Sequence, residues 1–199
     1  MSGRRHRVVA VAHEQMSLFE LAAVAEVFGL NRRDISEAWY EFEVCASSGN
    51  LPVRNAAGLV LHVGEGMAAI DRADTVLVAG WHPVEETPPA ELVDAVRQAW
   101  RRGVRVASIC GGAFVLAAAG LLDGRAATTH WRYVDHLRQQ YPLVQVDPDV
   151  LYIDHGDVAT SAGTAAGIDL CLHLVRTDLG GAVANEVARR MVVPAHRTG

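Results

Sequence analysis

Short β-rich runs alternate along this chain with longer stretches whose apolar residues recur at helical spacing. The short runs predict strands over 7–12, 40–46, 75–80 and 104–110. The stretches between and after them predict helices over 18–30, 89–102, 112–121 and 130–140. Because strands and helices alternate, the pattern indicates an α/β fold, a three-layer sandwich in which helices cover both faces of a mostly parallel central sheet.

The last third of the chain continues the alternation with shorter elements. A short strand is predicted over 125–128, and the segment 150–163 predicts two strands about a tight turn at His155 and Gly156. Further helices are predicted over 164–176 and 180–192. The final residues lose this periodicity, which indicates an exit from the domain.

Length and composition support one domain over residues 1–199. The chain has 199 residues and a mass of 21.4 kDa, and 50% of its residues are hydrophobic, enough for one sizeable core. The net charge is −5, whereas nucleic-acid binding requires a dense basic surface. We therefore expect that this chain by itself does not bind DNA.

The cysteines and the apolar runs bear on the cellular compartment. Cys45, Cys110 and Cys171 are odd in number and lack the spacing of a disulfide framework or a zinc site. This favours a reducing cytoplasm, with no metal and no cofactor. The longest apolar runs have about ten residues, whereas a membrane-spanning helix needs about twenty. No membrane association is predicted.

Candidate chemistry is concentrated at Cys110, where a predicted strand runs into two glycines and a helix. This order is typical of a nucleophile elbow, in which the nucleophile occupies a strained turn at the carboxyl end of a strand. A following helix N-terminus would favour the thiolate. The alternative is a buried cysteine beside glycines that allow close packing.

Other reactive side chains also follow predicted strands. Glu20 lies in the first strand–helix connection, and His130 follows the short strand at 125–128. Since ligands bind at the carboxyl ends of parallel strands, we expect Glu20, Cys110 and His130 to share one crevice. Backbone N–H groups of the turn at Gly80 and Trp81 and of Gly111 are candidates for an oxyanion hole. A protonated Glu20 would support a thiolate, and an ionised one would oppose it.

Each candidate has a structural alternative. Glu20 is also explained as a first-turn acid that favours the helix dipole, and His130 as the cap of a helix that begins at Trp131. Cys45 and Cys171 lie inside strand and helix patterns and are interpreted as core residues.

Three segments resemble a known family: SLFELAAVAEVF near the start, SICGGAFVLAAAGLLDGRAATTHW in the middle and HGDVATSAGTAAGIDLCLHLV near the end. They are similar to the ThiJ/PfpI superfamily, which has a glutamine-amidotransferase-like, flavodoxin-like fold, and most similar to the amino-terminal domain of GlxA-type regulators of the AraC family. The resemblance places the elbow cysteine at Cys110, the early acid at Glu20 and the histidine of the TTHW motif at His130.

The resemblance also implies partners. The regulators dimerise, bind a small nitrogenous metabolite, and contact DNA through a carboxyl-terminal helix-turn-helix domain, of which this sequence has none. Trp81, His82 and Trp131 are candidate ligand contacts, the last because an aromatic face attracts a cation. Catalytic relatives such as isonitrile hydratases commonly carry Ser or Thr after the cysteine and Asp at the early acid. This chain has Gly111 and Glu20 there, which departs from the hydratase pattern.

Three functions therefore remain open. The first is a ligand-sensing domain of a transcriptional regulator, with its pocket around Cys110. The second is a cysteine-dependent hydrolase or hydratase for a small substrate. The third is a thiol redox sensor, for which an exposed cysteine of low pKa would be sufficient.

Overall fold

The computed structural model describes residues 4–46 and 52–197. Its strands are β1 (Arg7–Ala12), β2 (Glu41–Ala46), β3 (Pro52–Arg54), β4 (Val60–His62), β5 (Thr75–Ala79), β6 (Arg105–Ile109), β7 (Ala126–Ala127), β8 (Gln145–Val146), β9 (Tyr152–Asp154) and β10 (Val158–Ser161). Its α-helices are α1 (Leu18–Val24), α2 (Ala90–Arg101), α3 (Ala113–Ala118), α4 (Val134–Gln140), α5 (Ala165–Leu179) and α6 (Gly181–Arg190). None of these helices is both long enough and apolar enough to span a bilayer.

The central sheet has six strands in the order β2-β1-β5-β6-β10-β9. All neighbours pair in parallel except β9 and β10, which form an antiparallel hairpin. If the parallel strands β1, β2, β5, β6 and β10 are renumbered 1 to 5 in chain order, the sheet order is 2-1-3-4-5. This is the flavodoxin-like order. The predicted fold class is therefore confirmed, together with the hairpin about His155 and Gly156.

Two apolar clusters lie on opposite faces of this sheet, since successive side chains of a strand point to opposite faces. Along β1, Val8 and Ala10 pack with α1, α5 and α6, whereas Val9 and Val11 pack on the side of α2, α3 and α4. The result is the three-layer sandwich that the sequence predicts.

The predicted elements recur with shifted boundaries. The helix predicted over 18–30 divides into α1 and a wider π-helical turn at Ala25–Gly29. The helix predicted over 112–121 is shorter, because a 3-10 turn at Cys110–Gly112 precedes α3. The β3–β4 hairpin and β8 were not predicted, since each strand has two or three residues and mixed exposure.

Candidate active site or ligand site

The switch point of the sheet lies between β1 and β5, where successive connections leave in opposite directions. Three strands end beside it. His13 follows β1, the Gly80–His82 turn follows β5, and Cys110 follows β6. The predicted site residues 80–82, 110 and 111 therefore lie at the carboxyl ends of parallel strands, and Glu20 lies on the helix that follows β1.

Cys110 occupies a strained turn. Its φ is 57°, a left-handed value that a side chain with a Cβ rarely adopts. A Cβ on Gly111 would lie 2.5 Å from the carbonyl oxygen of Trp81, and one on Gly112 would lie 2.4 Å from that of Val78. Because the end of β5 approaches the turn so closely, only glycine fits at both positions. The turn thus combines a cysteine of left-handed backbone with two glycines that lie against the end of β5.

Glu20 reaches Cys110 from α1. The residue is 2% exposed, and its carboxyl group accepts a hydrogen bond from the Cys110 thiol. Its second oxygen, Oε2, is buried and has no hydrogen-bond partner among the described residues. The structure therefore joins these two candidates and leaves one carboxyl oxygen available.

The surroundings of Cys110 shift the pKa of its thiol in both directions. Burial raises its pKa to about 12, and the Glu20 carboxylate adds to this effect, whereas the N–H of Gly111 lowers the pKa by donating to the sulfur. Burial likewise raises the pKa of Cys45 and of Cys171 to about 12. One expectation is corrected here: at 4% exposure Cys110 is not the exposed thiol that a redox sensor requires.

His130 precedes a short 3-10 turn, and its side chain is hydrogen-bonded within that turn. Its Nδ1 accepts a hydrogen bond of 3.3 Å from the N–H of Arg132, so the side chain caps the 3-10 turn at Trp131–Tyr133, as the structural alternative predicts. Burial and the Arg132 charge lower the pKa of His130, against an opposing effect of Glu20. None of the hydrogen bonds described between residues 4 and 197 joins His130 to Cys110.

Tyr133 is a site residue that the sequence reasoning missed. Its ring centroid lies 5.5 Å from that of His82 and 5.5 Å from that of His130. Burial raises its pKa, and the charges of Cys110 and Glu20 contribute in the same direction. The sequence did contain a signal for Tyr133, because residues about one helical turn apart lie on the same face and Tyr133 follows His130 by three positions.

Three further predicted residues have partners within the chain. The Gly80 N–H donates to the carbonyl of Ile109 at 3.0 Å, so the prediction of this amide as an oxyanion donor is corrected. Trp81 is buried, and its indole N–H donates to the carbonyl of Glu86 at 3.0 Å. Trp131 is 72% exposed, and the Arg132 guanidinium lies 5.8 Å from its ring centroid.

Two adjoining clefts open beside this edge of the sheet, with volumes of about 580 and 490 Å³. Both are lined by Gln15, His82, Pro83 and Glu86. The larger also carries the carboxylates of Glu14 and Glu91. Neither Cys110 nor Glu20 is among the described residues that line them, and His82, which lines both, packs against Tyr133 with ring centroids 5.5 Å apart.

The described His, Cys, Asp and Glu side chains form no group of three that could hold a metal ion. The polar groups that converge here are instead a carboxylate, a thiol, imidazoles and a phenol. They can exchange protons and can bind a nitrogen cation or an N–H donor.

Comparison with known proteins agrees with this arrangement. The model of the DJ-1/PfpI family matches residues 6–177. The transcriptional regulator CdhR of Pseudomonas aeruginosa is 36% identical over 155 residues, which cover 77% of this chain and 45% of the regulator. GlxA of Rhizobium meliloti is 31% identical over 137 residues, covering 68% and 42%. The chain thus spans less than half the length of these curated relatives.

The fold is also found among solved structures. An AraC family transcriptional regulator from Pseudomonas putida superposes with a TM-score of 0.81 at 22% identity, over 94% of this chain and 99% of the other. The expected likeness to regulators of the GlxA type is therefore confirmed. From the fold, the strained cysteine turn and the match over most of its length, we conclude that this chain belongs to the DJ-1/PfpI family.

Proposed function

We propose that this chain is the ligand-sensing domain of a transcriptional regulator, and that it binds a small nitrogenous metabolite at the site formed by Cys110, Glu20 and the adjoining clefts. The similarity to CdhR and GlxA supports the regulatory part. Dimerisation, and DNA binding through a further domain, are part of the same proposal.

The observation that carries the ligand class is the buried carboxyl of Glu20. Its Oε2 has no partner in the described chain, and a buried acceptor without a hydrogen bond costs about 1–3 kcal/mol. Glu14, Glu86 and Glu91 make the neighbouring cleft acidic, and none of the described residues that line it is an arginine. An ammonium or guanidinium group would satisfy Glu20 and match the charge of the cleft.

The test is ligand binding by calorimetry, with glycine, arginine, choline and trimethylglycine as probes and acetate and propionate as controls without nitrogen. We expect at least one nitrogenous probe to bind and the carboxylates not to bind. Glu20→Gln should weaken that binding by about tenfold to a hundredfold, because every cationic ligand loses the opposite charge and glycine or arginine also loses a charge-assisted N–H hydrogen bond. If acetate binds as well as glycine, the ligand class is wrong.

A matched control separates recognition from folding. Glu37→Gln changes an exposed glutamate outside these clefts and should leave the affinity unchanged. Equal losses in both variants would show that the carboxylate of Glu20 has no special role.

The strained backbone of Cys110 favours a second function, a cysteine-dependent enzyme that acts on a small amide or isonitrile. In that case Cys110→Ala abolishes turnover, because no other described thiol lies at the site. Cys45→Ala, which removes a core thiol on β2, is the control and should retain turnover. Turnover that persists in Cys110→Ala, measured by product formation, would reject the enzyme.

A further inference from the structure

The turn that precedes α5 lies directly against Cys110. A Cβ on Gly163 would stand 2.6 Å from the Cβ and 3.0 Å from the Sγ of Cys110. Gly163 and Thr164 both have positive φ, at 91° and 45°. In the first turn of α5, a Cβ on Gly167 would lie 2.9 Å from Cγ2 of Ile109. Because these contacts leave no free space, a displacement at Cys110 must also displace the start of α5.

The same helix holds the chain segment that follows α6. We define this segment, residues 191–197, as the strap. The Arg197 guanidinium donates to both oxygens of Asp169 on α5, from Nε at 2.9 Å and from Nη2 at 2.6 Å. The Asp169 residue is 7% exposed. This bidentate pair ties the strap to a buried carboxylate two residues beyond Gly167, which contacts Ile109.

A second attachment lies further along α5. The Arg176 guanidinium donates to the carbonyl of Ala195 at 3.0 Å and to the side chain of Asn185 at 2.9 Å. Positions 169 and 176 are about 10 Å apart on the helix axis. The strap therefore lies along α5, and its docking depends on how that helix is placed.

Only the arginine of this ion pair is well exposed to solvent. The Arg197 side chain is 44% exposed, whereas that of Asp169 is 7% exposed. Arg197 is the only described residue that donates a hydrogen bond to Asp169, so loss of the guanidinium leaves this carboxylate on α5 without its counter-charge. Docking of the strap and placement of α5 thus form one coupled unit.

We propose that the strap responds to the state of the Cys110 site: a ligand or modification that displaces the Gly163 turn shifts α5 and releases Arg197 from Asp169. This proposal relies on the proposed sensing function in one respect, because that function defines the signal that the strap would transmit. The coupling itself stands on the contacts at both ends of α5. By reciprocity, release of the strap must also change access to Cys110.

The first test is the rate of alkylation of Cys110 by iodoacetamide, followed by mass spectrometry in wild type and in Arg197→Ala. We expect Cys110 to react about fivefold faster or more in the variant, because a released strap loosens the turn that covers the sulfur. Cys45, on β2 at the far side of the sheet, is the internal reference and should keep its rate. Arg189→Ala, which changes a guanidinium that is 79% exposed, is the matched control.

The second test runs in the opposite direction. Gly163→Ala displaces the turn at Cys110, and we expect faster amide hydrogen exchange in residues 192–197 with unchanged exchange in α2 on the other face. If Gly163→Ala does not fold, the alkylation rate of Cys110 in Arg197→Ala is the measurement that decides. An unchanged Cys110 rate in a variant whose strap exchanges faster would overturn the proposal, as would equal acceleration of Cys45. Neither test uses a ligand, so failure to identify a metabolite would not affect the alkylation or hydrogen-exchange results.

Discussion

Asp178→Asn is expected to lower the free energy of unfolding by about 3 kcal/mol at pH 7, measured by urea denaturation. Asp178 on α5 accepts hydrogen bonds from Arg105 at 2.8 and 2.6 Å and from the Tyr40 hydroxyl at 2.8 Å. The variant keeps the side-chain shape but leaves the half-buried Arg105 cation without its counter-charge. These contacts join α5 to β6 and to the residue before β2, so the loss affects the whole sandwich.

The pH dependence of this effect has a defined sign. Burial by itself would raise the pKa of Asp178, but the hydrogen bonds and charge of Arg105 outweigh it, and the pKa lies below its ordinary value. The stabilisation is therefore complete above about pH 4 and is lost as the pH falls through the folded-state pKa. Asp135→Asn, whose carboxylate is 99% exposed, is the control and should change stability little. A similar loss in both variants would contradict the argument.

The second large effect is the pH dependence due to His13. This residue is 5% exposed, with Nδ1 2.7 Å from the carbonyl oxygen of Glu14 and Nε2 3.0 Å from that of Gly80. Burial lowers its pKa to about 4, against the opposing effect of the two carbonyl groups. The unfolded chain binds a proton on this imidazole below about pH 6.5, whereas the folded chain stays neutral. Stability should thus fall between pH 6.5 and 4, by up to about 1.4 kcal/mol per pH unit.

His13→Gln removes this titration and should flatten the stability curve in that window, as measured by urea denaturation at several pH values. Below about pH 4 both states carry the proton, so the effect of His13 becomes constant. His62→Gln, which changes an exposed histidine of β4, should keep the wild-type slope. A slope that is the same in wild type and His13→Gln would show that His13 is not the titrating group.

The Cys110 turn shows how far local reasoning reaches. Two glycines after an apolar strand predicted a close approach of backbone, and the approach is present at Trp81 and Val78. The meeting of Glu20 with Cys110 was also predictable, because both follow carboxyl ends of strands in one parallel sheet. The direction in which the thiol pKa shifts was not predictable, since it depends on burial and on the position of the Glu20 carboxylate.

The strap illustrates the opposite case. Its lost periodicity predicted only an exit from the domain, yet Arg197 and Asp169, separated by twenty-eight positions, form a bidentate pair. Nothing in the local pattern around either residue marks the other. The same holds for Gly163, whose contact with Cys110 depends on how β10 lies beside β6.

The amino-acid sequence by itself determined the α/β sandwich, the order of its main elements and the family, because hydrophobic period and turn residues are local properties. It also determined which edge of the sheet carries Glu20 and Cys110. Only the tertiary structure decided that this thiol is buried, that Tyr133 packs against His82 and His130, and that α5 contacts both the Cys110 turn and the strap. These properties arise from contacts between distant segments, whose distances and desolvation no local pattern contains.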